Sequence, residues 1–216
     1  DIGRDMLNLL KKCKVNIRVI FPKVSIVAMI SYGFLDEAKD GLKALYNQLD
    51  NISKNDIIVG IEPSEVLVWR DEAKSLFNGN LLNVLLFEEM LLKLDLLSAL
   101  PKFNAIQSKV WVYEHCHQKA LTTTESLIKS IKLIPEIQFE IIEGGCCGMA
   151  GDFGYKYSKI SEKIAHNSLD VYMKKINSCD VLIATGISCR RQILDIFKFQ
   201  SNHLVQLFSR SLRNKC

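Results

Sequence analysis

The 216 residues are 48% hydrophobic and 24% charged, with a formal net charge of +4 at pH 7. That composition excludes a disordered chain and supports one globular unit or two small ones. The basic excess is slight and its lysines are interleaved with acids, so nothing points to nucleic acid.

The chain opens on DIGRDMLNLLKK, an amphipathic, charged segment without the pattern of a secretory signal, and its first residue is not methionine. A helix is expected over 2–13, then a strand in NIRVIFP (16–22) and a helix in FLDEAKDGLKALYNQL. DIIVGIEP (56–63) reads as a strand, and Ser64 begins another helix. The leucine-rich run 81–100 is interrupted by Glu88, Glu89, Lys93 and Asp95, each costly in a bilayer, so a buried or partner-docking helix pair is expected rather than a membrane span. VWVYEH (110–115) is a strand, QKALTTTESLIKSIKL a helix, EIQFEII (136–142) a strand, and Tyr155 to Ile176 a long helix. DVLIATG (180–186) is a third strand and ISCRRQILDIF the helix after it.

This alternation predicts an α/β fold of two pseudo-repeated, Rossmann-like parallel-sheet halves. The expected division is a first half over 1–109, with a leucine-rich helical insert at 66–109, and a second half over 110–216. The first half lacks a strand equivalent to VWVYEH, so a strand is expected upstream of Ile2.

Seven cysteines, at 13, 116, 146, 147, 179, 189 and 216, are odd in number, which argues against a disulfide framework and for metal or redox chemistry in a cytoplasmic protein. Cys116, the adjacent pair Cys146 and Cys147, and Cys189 each follow a predicted strand, in a C-x29-CC-x41-C pattern. The carboxyl ends of parallel strands share one edge, so the four should converge there. Helix N-termini favour thiolates, as do Lys119, Arg190 and Arg191, while Gly144, Gly145, Gly148 and Gly151 allow backbone amides close to a bulky anion. Four thiolates serve a [4Fe–4S] or [2Fe–2S] cluster, and zinc takes the same donors. Adjacent cysteines fit a polynuclear cluster better than a single tetrahedral ion.

The blocks EHCHQKAL, GGCCGMAGDFGY and ATGISCRRQI together resemble the second half of the cysteine-rich CCG domain of FAD-linked oxidoreductases. That family includes fused FAD/iron–sulfur D-2-hydroxyacid dehydrogenases, the iron–sulfur subunits of lactate and glycolate oxidation, and the cysteine-rich subunits of anaerobic glycerol-3-phosphate dehydrogenase and heterodisulfide reductase. IGRDMLNLL, ISYGFLDEAKDG, GIEPSEVLVWRDE and HLVQLF also look like family blocks.

The resemblance implies an iron–sulfur centre, of the 4Fe–4S kind, on Cys116, Cys146, Cys147 and Cys189, with Gly145, Gly148 and Arg190 beside the cofactor and His115 and His117 as hydrogen-bonding neighbours. It implies electron transfer from a flavin, on another region or a partner chain, to an acceptor such as a quinone or electron carrier, and oxidation of a hydroxy acid such as D-lactate or D-2-hydroxyglutarate. Peripheral association with the inner face of the membrane is compatible with that role. The first half departs from the family: Val24, Ser25 and Ile26 stand where a CCG is common, and Glu65 where a cysteine follows proline and serine, so no centre is expected there. In the second half Gly186 replaces the first cysteine of a CxxC, which favours four thiolates over five.

Two other readings use the same residues. One is a zinc-bound or metal-free docking module for a flavoprotein; the other is a thiol redox enzyme acting through Cys146 and Cys147, whose disulfide would be strained. Cys13, Cys179, Cys216, His166 and His203 read as ordinary structural or exposed groups. The sequence has no G-x-G-x-x-G after a strand, no P-loop, and no nucleophile elbow around Ser188.

Overall fold

The computed structural model describes residues 1–49, 52–53, 56–77 and 82–212. Helix α1 (Ile2–Lys12) is capped by the Asp1 carboxylate, which accepts from the Gly3 and Arg4 amides, and it ends on Lys11 and Lys12, which suit the negative end of the helix dipole. Its apolar face buries Met6, Leu9 and Leu10. Ser25 caps α2 (Ile26–Ser31), and α3 (Leu35–Gln48) follows.

A short strand β1 (Ile58–Val59) leads to α4 (Pro63–Val68), with proline at the helix start where its missing N–H costs nothing. After α5 (Ala73–Leu76), strand β2 (Val84–Leu85) pairs parallel with β1 and runs into α6 (Phe87–Leu96).

The second half is more regular. Strand β3 (Val110–Tyr113) is followed by α7 (Cys116–Leu121) and α8 (Thr124–Ile131), β4 (Phe139–Ile141) by α9 (Phe153–Lys156) and α10 (Ser158–Met173), and β5 (Val181–Ala184) by α11 (Ile187–Phe197) and α12 (Leu204–Ser211). The three strands form a parallel sheet in the order β4-β3-β5, with Val110 opposite both Phe139 and Val181. Every residue of β3 and β5 is buried, as expected for parallel strands covered on both faces. One face carries α1, α6, α8 and α12, through Leu9, Phe87, Leu91, Leu127 and Phe208; the other carries Leu169 of α10 and Ile193 of α11. Each such fully buried side chain contributes roughly 1.5–3 kcal/mol of transfer free energy.

The α/β architecture with two parallel sheets stands as expected, but three elements differ. Residues 16–22 form no strand: they find no ladder partner among the described residues, and Val19 and Phe21 are 50% and 80% exposed. The leucine-rich run gives one strand and one helix instead of a helix pair, because Val84 and Leu85 complete the sheet begun by β1; Leu81 lies outside the described residues. The helix expected across 118–133 breaks at Thr122, which is extended (φ −134°, ψ 173°). Three consecutive threonines are poor helix formers, which accounts for the break. Among the described residues no helix is long and apolar enough to cross a membrane.

Candidate metal centre

The carboxyl ends of β3, β4 and β5 bring four cysteines into contact. Cys116 begins α7 directly after β3, Cys146 and Cys147 lie in the loop after β4, and Cys189 is the third residue of α11 after β5. The Cys116 and Cys147 thiols both donate towards Cys146, and Cys147 and Cys189 are hydrogen-bonding neighbours. Cys147 and Cys189 are buried, and Cys116 and Cys146 are partly exposed at the sheet edge. The other described cysteines stand apart from this set: Cys13 is buried at the end of α1 and Cys179 is exposed. Cys216 lies outside the described residues.

One thiolate dominates the electrostatics. The neighbouring Cys116 and Cys147 thiols and the Gly148 amide, which donates to Cys146 Sγ at 3.3 Å, hold the Cys146 thiol far below its usual range. Cys116 and Cys147 are pushed up, chiefly because they give their hydrogen bonds to that anion and then because they are buried. Four clustered thiols can therefore ionise together only if cationic charge is placed among them, as a metal centre does. The donor set fits such a group. So does His115, which is 8% exposed, has an unpartnered buried Nδ1, and is kept neutral by burial that lowers its pKa to about 4.

The supports around the cysteines are specific. Tyr113 Oη donates to the Gly145 carbonyl at 2.5 Å, and Lys119 Nζ donates to the Gly144 carbonyl at 2.9 Å, so β3 and α7 hold the glycine loop from below. Gly148 adopts φ +90°, and a Cβ there would meet the Ser161 carbonyl oxygen at 2.4 Å. Gly186 is packed on a side chain: its Cβ would lie 2.3 Å from the His115 ring. Behind Cys116, the Thr185 hydroxyl accepts the His115 N–H and donates to Gln118 Oε1, both at 2.9 Å, and Gln118 Nε2 donates to the buried Glu88. This chain ties α6, α7 and the end of β5 together. Glu114, fully buried, accepts from Thr124 Oγ1 at 2.8 Å.

Arg190 folds back on β5 and donates to the carbonyls of Ala184 and Thr185 at 2.9 Å, with Glu62 Oε2 3.9 Å away. Glu62, from the first half, accepts the Ile187 N–H at the start of α11. Arg191, expected to add positive charge, instead faces solvent and pairs with Asp195. His117 has its Nε2 4.0 Å from Glu72 Oε1. His166 is half-buried and pairs with Asp170, while His203 is buried and ties the loop before α12 to the Ile61 carbonyl. Glu88 and Tyr113 lie outside the cysteine-bearing blocks, and Gln118 and Thr185 lie inside them without any chemical signal of their own, so sequence reasoning misses their part in the site. The buried, non-alternating ends of the two strands are the trace they leave.

In the first half, Ser25 and Glu65 meet across the start of two helices. Glu65 is the third residue of α4, as Cys189 is of α11. The Ser25 hydroxyl donates to Glu65 Oε1.

The chain is similar to D-2-hydroxyglutarate dehydrogenase of Escherichia coli (strain K12), 29% identical over 81% of this chain and 17% of that protein. It is 32% identical to D-2-hydroxyglutarate dehydrogenase of Pantoea ananatis (strain AJ13355) over 63% of the chain and 14% of that protein. The C subunit of anaerobic glycerol-3-phosphate dehydrogenase from E. coli K12 is 21% identical over 98% of the chain and 55% of its own length. The chain thus spans between about a seventh and about half of the curated relatives it matches. No family model and no solved structure matches it.

Proposed function

We propose that this chain is the iron–sulfur electron-transfer region of a flavin-linked oxidoreductase that oxidises a D-2-hydroxy acid. The observation that carries the reading is the convergence of Cys116, Cys146, Cys147 and Cys189 from three strand ends onto one edge of the β4-β3-β5 sheet. The likeness to D-2-hydroxyglutarate dehydrogenases and to the glycerol-3-phosphate dehydrogenase component supports the reaction class. Flavin and substrate would be held by another region or a partner chain, and electrons would leave towards a quinone or a protein carrier.

In this reading Cys116, Cys146, Cys147 and Cys189 hold the cluster, which takes up and releases electrons singly when bound. The Gly148 amide and the Arg190 guanidinium favour negative charge at the thiolates, and neutral His115 offers its free Nδ1 beside them. The buried Glu88–Gln118–Thr185 chain fixes the backbone that carries Cys116, which limits rearrangement during electron transfer. The first half, 1–109, serves as a scaffold without a centre of its own, since a hydroxyl–carboxylate pair joins the segments that thiols would otherwise occupy. The second half, 110–216, carries the site.

The adjacent pair supports a cluster over a single zinc ion: Cys146 and Cys147 are neighbours in the chain and touch Cys116 and Cys189 in turn, an arrangement that suits a polynuclear centre better than one tetrahedral ion. The test is optical. Chain purified without oxygen should absorb broadly near about 400 nm, bleach on addition of dithionite and recover on reoxidation. A colourless, zinc-loaded protein would overturn the electron-transfer reading and leave the docking role.

A further inference from the structure

We propose that Asp71, Glu72 and His117 form a second, separate site for a first-row divalent cation, at the junction between the α4–α5 turn and α7. One imidazole nitrogen and two carboxylate groups place their ligand atoms within 4.8 Å of one another. Ligands about 2.1 Å from a shared ion lie about 3 Å apart when adjacent and about 4.2 Å when opposite, so the 4.0 Å separation of His117 Nε2 from Glu72 Oε1 falls within the span of one coordination sphere. It is too long for a hydrogen bond, so the two groups do not satisfy each other.

An independent observation points the same way. Glu72 Oε2 is buried and has no hydrogen-bond partner. A buried polar oxygen left without a hydrogen bond is costly unless a donor or cation meets it. The side chains that could neutralise it are committed elsewhere: Arg70 grips both oxygens of Glu89 and the Val84 carbonyl, and Lys119 reaches the Gly144 carbonyl. Among the described residues no lysine or arginine pairs with Asp71 or Glu72.

The donors differ in kind from the thiols. Imidazole with carboxylates suits manganese, ferrous iron or zinc, whereas a thiolate set selects softer metal centres. The cation would fasten α4 and its following turn to α7, the helix that begins at Cys116, and so brace the cysteine loop from the first half.

Manganese separates the two sites because thiolates bind it poorly. Mn2+ would be titrated into the purified chain, with the free ion read by electron paramagnetic resonance. One bound ion per chain is expected, with hyperfine coupling to a single imidazole nitrogen. Glu72→Gln and His117→Gln should each weaken binding at least about tenfold, with unchanged far-ultraviolet circular dichroism, while Cys189→Ser leaves it intact. The proposal is overturned by absence of saturable Mn2+ binding, by lack of imidazole coupling in the native chain, or by binding that disappears with Cys189→Ser. The imidazole coupling is read on the native chain, so the test stands even if a variant fails to fold. It is also independent of whether the cysteines hold iron.

Discussion

The glycine loop around the cysteines can be tested through Gly148. An alanine there incurs two costs. At φ +90° the left-handed backbone disfavours an L side chain by about 1–2 kcal/mol. The new Cβ also meets the Ser161 carbonyl oxygen at 2.4 Å, its carbon at 3.1 Å and Ile164 Cβ at 3.2 Å. Ser161 cannot easily retreat, since it lies within α10, its hydroxyl donates to the Gly148 carbonyl at 2.8 Å, and Gln192 Nε2 donates to that hydroxyl at 2.7 Å. Overpacking of this kind costs about 1–3 kcal/mol. The total for Gly148→Ala is then about 2–5 kcal/mol. Gly33 provides the control: its φ is +81°, but nothing lies within 4 Å of its added Cβ, so Gly33→Ala should lose only the backbone part. With a urea m value of about 2 kcal/mol/M, an extra 2 kcal/mol or so lowers the unfolding midpoint by about 1 M. Equal midpoints for the two variants would refute the close packing of the cysteine loop on α10.

Thr185→Val keeps shape but removes the hydroxyl between the His115 N–H and Gln118; it should cost about 1–3 kcal/mol in urea unfolding, with Thr185→Ser restoring most of it, and an unchanged midpoint would contradict the buried network. Burial pushes Glu88 up to about 7 from 4.5, so the unfolded chain ionises first. The contribution of Glu88 is full below pH 4.5 and fades as pH rises towards 7, by as much as about 3 kcal/mol. Glu88→Gln should flatten this slope in stability measured across that window, and parallel slopes for the two proteins would contradict the assignment.

The second half was legible because β3 and β5 are short apolar runs buried on both faces, and α11 runs over the span its sequence suggests, 187–197. Their strand ends also located the four cysteines. Residues 16–22 were not legible, since the alternation in NIRVIFP reports β-propensity and says nothing about whether a neighbouring strand is there to pair. The pairing of β1 with β2 was hidden for a similar reason: Val84–Leu85 sits in a leucine-rich run whose hydrophobicity suits helix and strand alike. At the site, the neighbours that act through space escape a sequence reading. Glu72 comes from the other half and meets His117 only through packing of α4 on α7, while Glu88 reaches Gln118 across the core. His117 flanks Cys116 in sequence, yet on α7 it turns towards Glu72, which adjacency alone does not reveal.

Iron and acid-labile sulfide content, measured on protein purified without oxygen, decides whether the four cysteines hold a cluster. Iron with matching sulfide is expected in the native chain, with loss of both on Cys116→Ser or Cys189→Ser substitution while circular dichroism shows the fold preserved. Zinc without sulfide, no metal bound at these thiols, or a cluster that survives both substitutions would contradict that reading.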